Sequence, residues 1–224
     1  MARNASLASL LLPPLLAAGP AFALDEGVEV GVMVDRSHLD LRSGAELHTN
    51  RLTFVLEEEV QPWLALNLHG GPVLLTTRNN PATAGMDLTG YHIGVGARAE
   101  WFRQHPLGLT ASASYNYQQV DDEIEIDSGA EERKATITLH ETRGELATLI
   151  RTPAVRLQLG GYALYIDGDQ TSSGPTASSS DIKIDQPFGG FAQADFRVDW
   201  TGRISLRLEA GARQAASLTF ARHF

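Results

Sequence analysis

The feature that most constrains this chain is a strict two-residue alternation of apolar and polar side chains, clearest near the C-terminus. In Ile204-Ser-Leu-Arg-Leu-Glu-Ala-Gly-Ala-Arg213, the residues Ile204, Leu206, Leu208, Ala210 and Ala212 are apolar, while Ser205, Arg207, Glu209 and Arg213 are polar. A period of two describes a strand with one greasy and one charged face. After a break near Gln214 and Ala215, Ala216, Leu218, Phe220 and Phe224 resume the apolar face. The pattern recurs upstream in Val28, Val30, Val32 and Val34, in Tyr91, Ile93, Val95, Ala97, Ala99 and Trp101, and in Ala192, Ala194, Phe196 and Val198.

Turn residues at Pro62, Pro106, Pro153 and Gly202 lie 44 to 49 positions apart, each followed by an alternating segment. Proline cannot donate to a ladder, so these positions mark tight turns. Two strands and a longer loop fit between successive turns. The spacing predicts ten strands: 27–36, 48–58, 62–70, 88–102, 108–120, 134–151, 154–167, 181–200, 203–213 and 215–224. Eight is the alternative count, because the break at Gln214 is weak and because Gly144 and Pro187-Phe-Gly-Gly190 could be bulges or bends. Residues 77–85, 121–132 and 167–180, rich in Gly, Pro, Asn, Ser or acidic side chains, read as loops.

Arg3, the apolar run Leu7–Ala18 and the small-x-small triplet Ala21-Phe22-Ala23 read as a secretory signal peptide over residues 1–23, leaving one domain over 24–224. The run is broken by Pro13-Pro14 and falls short of the roughly 20 residues that a spanning helix needs. The absence of cysteine excludes an acylated lipoprotein and a disulfide framework. A formal charge of −9, with Lys134 and Lys183 the only lysines, argues against nucleic acid as a partner.

Alternation, a secretory address and a terminal aromatic together make the chain resemble bacterial outer-membrane β-barrels. The closing strand of such barrels typically ends on a Phe that the assembly machinery reads. Ala216, Leu218, Phe220 and Phe224 match that pattern, with Phe220 and Phe224 as the assembly signal; Arg222 departs from it, standing where an apolar residue is usual. The resemblance implies an all-β fold, an antiparallel up-and-down transmembrane barrel in the outer membrane of a Gram-negative bacterium, with both termini, and the tight turns, on the periplasmic side. Expected partners are outer-membrane lipid and lipopolysaccharide, the assembly machinery and, if the lumen conducts, small hydrophilic solutes; no cofactor or metal is expected.

A soluble barrel or sandwich would turn the apolar set inward. Three features favour lipid outside: the apolar set is rich in Ala and Val, the polar set carries neighbouring opposite charges, and aromatic residues stand near both strand ends. The predicted interface aromatics are Tyr91, Trp101, Tyr115, Tyr117, Tyr165 and Trp200, while Trp63 is phased inward. The predicted lumen carries Glu29, Asp35, Arg51, Glu57, Arg98, Glu100, Arg156, Asp195, Arg197, Asp199, Arg207, Glu209 and Arg213. These charges could line a pore that selects solutes, or pair and plug a narrow bore.

Chemistry is sparse. The acidic run lacks a calcium-loop pattern, and no GxSxG, HExxH or Gly-rich phosphate motif is present. Asp121, Asp122, Asp167, Asp169 and His48 could stand near the outer rim, where surface proteases of this class keep acidic pairs, but catalysis would need them within hydrogen-bond reach. No catalytic residue is expected. The functions left open are a porin-like channel and a closed structural or surface-interaction barrel. Deleting Phe224 is expected to impair assembly, read as loss of the heat-modifiable folded band from membranes; a deletion that folds normally would contradict the terminal signal.

Overall fold

The computed structural model describes residues 27–126, 131–152, 155–174 and 178–224. The expected signal peptide and the expected turn residue Pro153, with Ala154, lie outside them. The strands are β1 (Val28–Asp40), β2 (Glu46–Gln61), β3 (Leu64–Arg78), β4 (Leu88–Trp101), β5 (Leu107–Ile126), β6 (Glu131–Arg151), β7 (Val155–Ser172), β8 (Ser178–Ile182), β9 (Phe188–Arg197), β10 (Gly202–Gly211) and β11 (Gln214–His223). Each pairs antiparallel with its neighbours, and β1 pairs with β11 over Glu29–His38 to close the barrel. The short β8 and the longer β9 lie in line along β7, so that eleven strands form ten staves. The ten-stave expectation holds. The stave expected to run unbroken over 181–200 is interrupted around Pro187, whereas β6 runs straight through Gly144.

Most strands exceed the expected lengths at the end of the barrel far from the termini. Residues 121–126 and 167–172, expected as loop, are strand. The reason is a switch in which face is apolar. On β1, the outward Val30, Val32 and Val34 are exposed, and Asp35 beside them is buried. Further along, the buried positions are Leu39 and Leu41, while Arg36 and Asp40 point outward. The backbone period stays at two; only the surroundings change.

This switch divides the barrel in two. Around the half nearer the termini, the outer face is a continuous belt of exposed apolar residues, among them Val32, Phe54, Leu68, Val95, Leu159 and Leu206. A patch that encircles a molecule in this way needs a lipid partner. In the distal half the apolar residues point inward. Leu75, Leu88, Val120, Ile137 and Leu164 are at most 1% exposed and join Leu39, Leu47, Ile166, Ile182 and Ile184 in one core across the bore.

Distal segments cover that core. Asn80 caps a single 3-10 turn at Pro81–Thr83 that tucks Ala82 inward. From this connection Asn80 Nδ2 donates to Gln170 Oε1 on β7 (2.7 Å), and Arg133 Nε of β6 donates to the Ala82 carbonyl (3.2 Å). The β1–β2 turn is tied to the segment before β9, where Arg42 donates from its backbone N to the Lys183 carbonyl (3.0 Å) and from Nε to that of Ile184 (2.9 Å). Between β10 and β11, Gly211 takes φ +106°, a conformation glycine adopts without strain, which makes the weak sequence break at Gln214 a true turn. Truncating Leu75 to Ala in the distal core should cost about 2–5 kcal/mol. The measurement is urea unfolding in lipid vesicles followed by tryptophan fluorescence, and an unchanged midpoint would show that this core contributes little.

Candidate functional site

The barrel interior below the distal core is the largest concentration of charge among the described residues. Inward positions recur every second residue, so each stave delivers a ladder of side chains into a bore narrow enough for opposite walls to meet. The charges fall into two layers.

The inner layer, next to the apolar core, sets Arg51, Arg143, Arg207 and Arg213 against Asp35, Glu141, Glu145 and Glu209. Arg143 grips Glu209 in a fork, Nη1 and Nη2 each donating at 2.9 Å, and its Nε reaches Glu145 (2.5 Å). Arg207 donates to Glu145 and Glu209, both at 2.7 Å, and Arg213 to Glu141 at 3.0 Å. Arg51 reaches Glu141 at 3.4 Å. Two guanidinium groups also lie over aromatic faces, Arg143 on Tyr162 (4.0 Å) and Arg207 on Phe191 (3.8 Å). The Tyr162 hydroxyl donates to the Arg213 carbonyl (2.9 Å) and accepts from its N–H (3.0 Å), anchoring the β10–β11 turn. Beside this layer, His92 sits between Thr53 (3.0 Å) and Asn116 (3.1 Å), facing a polar cavity of about 210 Å³.

The outer layer, toward the termini, sets Arg98, Arg103, Arg151, Arg156 and Arg203 against Glu29, Glu57, Glu59, Glu100 and Asp195. Arg98 pairs with Glu57 and, at 3.3 Å, with Glu100. Glu100 also accepts from Arg151 (2.7 Å) and Arg156 (3.4 Å). Arg156 reaches Asp195 at 2.8 Å, Arg203 reaches Glu29 at 2.8 Å, and Arg103 reaches Glu59 at 2.7 Å on the open rim. In both layers every arginine has a carboxylate partner, the condition under which charges persist away from water.

Eleven of the thirteen residues expected in the lumen belong to these two layers. Arg197 and Asp199 do not: Arg197 is the last residue of β9, at the barrel rim, and Asp199 lies past it, where the chain has left the sheet. Arg197 is exposed. Asp199 serves the β9–β10 turn, accepting from the backbone N–H groups of Thr201 (2.8 Å) and Gly202 (2.6 Å), which hold its carboxyl below the usual carboxylate range. It also explains the outward Arg222, whose Nε donates to the Thr201 hydroxyl (2.9 Å) and whose Nη2 lies 3.6 Å from Asp199. Sequence reasoning missed Glu59, Arg103, Arg151 and Arg203 of the outer layer, which lie at strand ends or in turns, and Glu141, Arg143 and Glu145 of the inner one. For the three on β6, two-residue spacing in phase with Ala147 and Leu149 was the available signal, masked because Thr and His fill much of the outer face of that strand.

Tyr91, Tyr115, Tyr165 and Trp101 are exposed on the outer face, Tyr117 is half-buried there, Trp200 is exposed in the β9–β10 turn, and Phe220 and Phe224 are exposed on and just after β11. Trp63, expected inward, is instead exposed in the β2–β3 turn, where the strand phase no longer applies. The residues considered for catalysis do not assemble. Asp121 and Asp167 lie on β5 and β7, separated by β6, and His48 lies on β2 facing His38.

Replacing Glu209 with Gln leaves Arg143, Arg207 and Arg213 short of one shared carboxylate, with an expected loss of about 3–5 kcal/mol. The exposed partner Glu59→Gln should lose less than about 1 kcal/mol. Urea midpoints of both variants in the same vesicles check the contrast, and equal losses would contradict it.

No protein-family model matches the sequence, and no curated protein does. Solved structures do match. The translocator domain of the autotransporter NalP from Neisseria meningitidis superposes with a TM-score of 0.55 at 10% identity, over 90% of each chain. The outer-membrane protease OmpT from Escherichia coli gives a TM-score of 0.46 at 10% identity, over 91% of this chain and 96% of its own. At such identities the likeness speaks to fold alone, and the fold agrees with the lipid belt and the paired interior. The chain folds as a closed, ten-stave antiparallel β-barrel encircled by an apolar belt, the fold of the outer-membrane barrel domain on which it superposes.

Proposed function

We propose that this protein is a non-conducting outer-membrane barrel whose working surface is its extracellular end. The observation that carries this reading is the apolar core across the distal bore, where Leu75, Leu88, Val120 and Ile137 are completely buried. A hydrated solute would have to displace close-packed aliphatic side chains there, and at the periplasmic end it would have to break through both layers of ion pairs. A porin-like barrel of this size would instead need a polar path from end to end.

The extracellular ends of the staves extend well past the lipid belt, and their connections are tied to one another through Asn80, Gln170, Arg133 and Arg42. Such a pre-ordered polar surface suits recognition of lipopolysaccharide or of protein partners, because little conformational freedom is lost on binding. An enzymatic role has no support from the outer-rim residues considered for catalysis, since Asp121 and Asp122 lie on β5 and Asp167 and Asp169 on β7, away from His48 on β2.

Purified, folded protein in a planar bilayer should give no steady conductance steps, and liposomes carrying it should not swell in small sugars. Reproducible steps from protein shown to be folded and inserted would overturn the proposal in favour of a channel lined by the ion pairs.

A further inference from the structure

Above the lipid belt, the outer face of the β1–β2 hairpin carries two directly opposed cross-strand pairs, His38 with His48 and Asp40 with Glu46. Val34 and Leu52 form the last apolar pair of the belt on these strands; Arg36 and Asn50 come next, and the histidines follow. The two imidazole rings stack almost parallel, 4.6 Å apart with 5° between their planes. Both turn Nε2 toward one carboxylate oxygen: Glu46 Oε2 lies 3.3 Å from His48 Nε2 and 3.6 Å from His38 Nε2. Asp40 Oδ1 stands 3.3 Å from His38 Nε2 on the other side.

We propose that His38, His48 and Glu46 form a binding site for a single divalent transition-metal ion of the zinc class. Three lines of geometry carry this.

The first is spacing. Ligands about 2.0–2.1 Å from a tetrahedral zinc ion stand about 3.3–3.4 Å from each other. The carboxylate-to-imidazole separations of 3.3 and 3.6 Å already lie near that edge length, and the ligand atoms of all three residues lie within 4.8 Å of one another. A small approach of the two imidazole nitrogens completes the triangle. Asp40 or water can fill the fourth position, on the open side.

The second is an unused donor atom. His38 Nε2 is shielded from solvent yet makes no hydrogen bond, although two carboxylate oxygens flank it. A ring nitrogen flanked by two carboxylate oxygens without a hydrogen bond is a position that a bound cation would satisfy.

The third is support behind the ligands. The free oxygen of Glu46, Oε1, accepts from Asn79 Nδ2 (3.4 Å), which leaves Oε2 for the ion. Partners of this kind orient metal ligands and tune their affinity. The backbone beneath is also fixed: the β1–β2 turn closes through Leu41 N to the Ala45 carbonyl (3.0 Å) and is held by the Arg42 contacts to Lys183 and Ile184. The site therefore exists before the ion arrives. Two imidazoles with one carboxylate select zinc-class ions over calcium or magnesium, which prefer oxygen ligands alone.

The test uses tag-free, folded barrel in detergent micelles, titrated with Zn²⁺ in competition with a chromophoric zinc indicator. The expected result is one ion per chain, and Zn²⁺ should raise the unfolding temperature. Either His38→Ala or His48→Ala should weaken binding at least tenfold, and the double variant should bind none at the same concentrations. His140→Ala, also on the outer face but paired with Tyr115 (2.7 Å), should bind like the parent. All three substituted residues are on the outer face, so the heat-modifiable band verifies folding of each variant. Unchanged binding in the folded double variant, or no binding by the parent chain, would overturn the proposal. Glu46→Gln gives an independent reading: with the imidazoles intact it should still weaken Zn²⁺ binding, and binding equal to the parent would remove the carboxylate from the site.

Discussion

The whole of this structure depends on the requirement that backbone N–H and C=O groups inside a hydrocarbon layer be paired within the protein. Strands meet it only when the sheet has no edge, and here the register of β1 against β11, Glu29 to His223 through His38 to Gln214, removes the last one. Closure then dictates what fills the interior. With ten staves the bore is narrow enough for side chains from opposite walls to touch, so each inward residue needs a partner across the barrel. A charged residue chosen for the lumen therefore commits a second stave to an opposite charge. Glu209 on β10 shows this: its oxygens are shared by Arg143 of β6, Arg207 of its own strand and Arg213 beyond the turn.

The interior uses two different solutions at its two ends, and the membrane decides which is used where. Within the lipid belt the outer face must be apolar, so the polar half of each alternating strand has only the lumen to face, and ion pairs accumulate there. Beyond the belt the outer face meets water, the alternation swaps sides, and apolar residues fill the bore as they would in a soluble barrel. The ion-pair layers are specific but costly, since each charge leaves water; the distal core needs no matching partners and adds hydrophobic burial. Placing the core at the distal end also gives the exposed connections a firm base, because the Asn80 and Arg42 contacts lie over it.

Period-two alternation was strong enough in the sequence to place ten staves, both termini at one end and the apolar belt outside. The strand ends were harder, because a reading that follows one apolar phase stops where that phase changes sides. Val28, Val30, Val32 and Val34 occupy even positions, Leu39 and Leu41 odd ones, and no turn residue separates them. The same inversion hid the strand character of Asp121 to Ile126, where an acidic run looked like loop because Asp121 and Glu123 face outward into solvent. In the lumen, phase located most charged residues but could not match them with partners. By sequence proximity the cation nearest Asp195 is Arg197, whereas β7 and β10 supply Arg156 and Arg203. Cross-barrel partners depend on stagger between distant staves, which one sequence does not display.

The histidine pair shows what strand register produces on the outside. His38 and His48 are ten residues apart, a spacing that matches no metal motif, and the hairpin brings them opposite each other because Leu41 to Ala45 form a tight turn of fixed length. A turn one residue longer would shift the register and turn His48 into the bore. The same turn puts Leu39 against Leu47 on the inner face, so the packing of the distal core holds the register that aligns the imidazoles outside. Core and surface are thus the two faces of one hairpin. The apolar core that fills the distal bore is also what holds this surface hairpin in register.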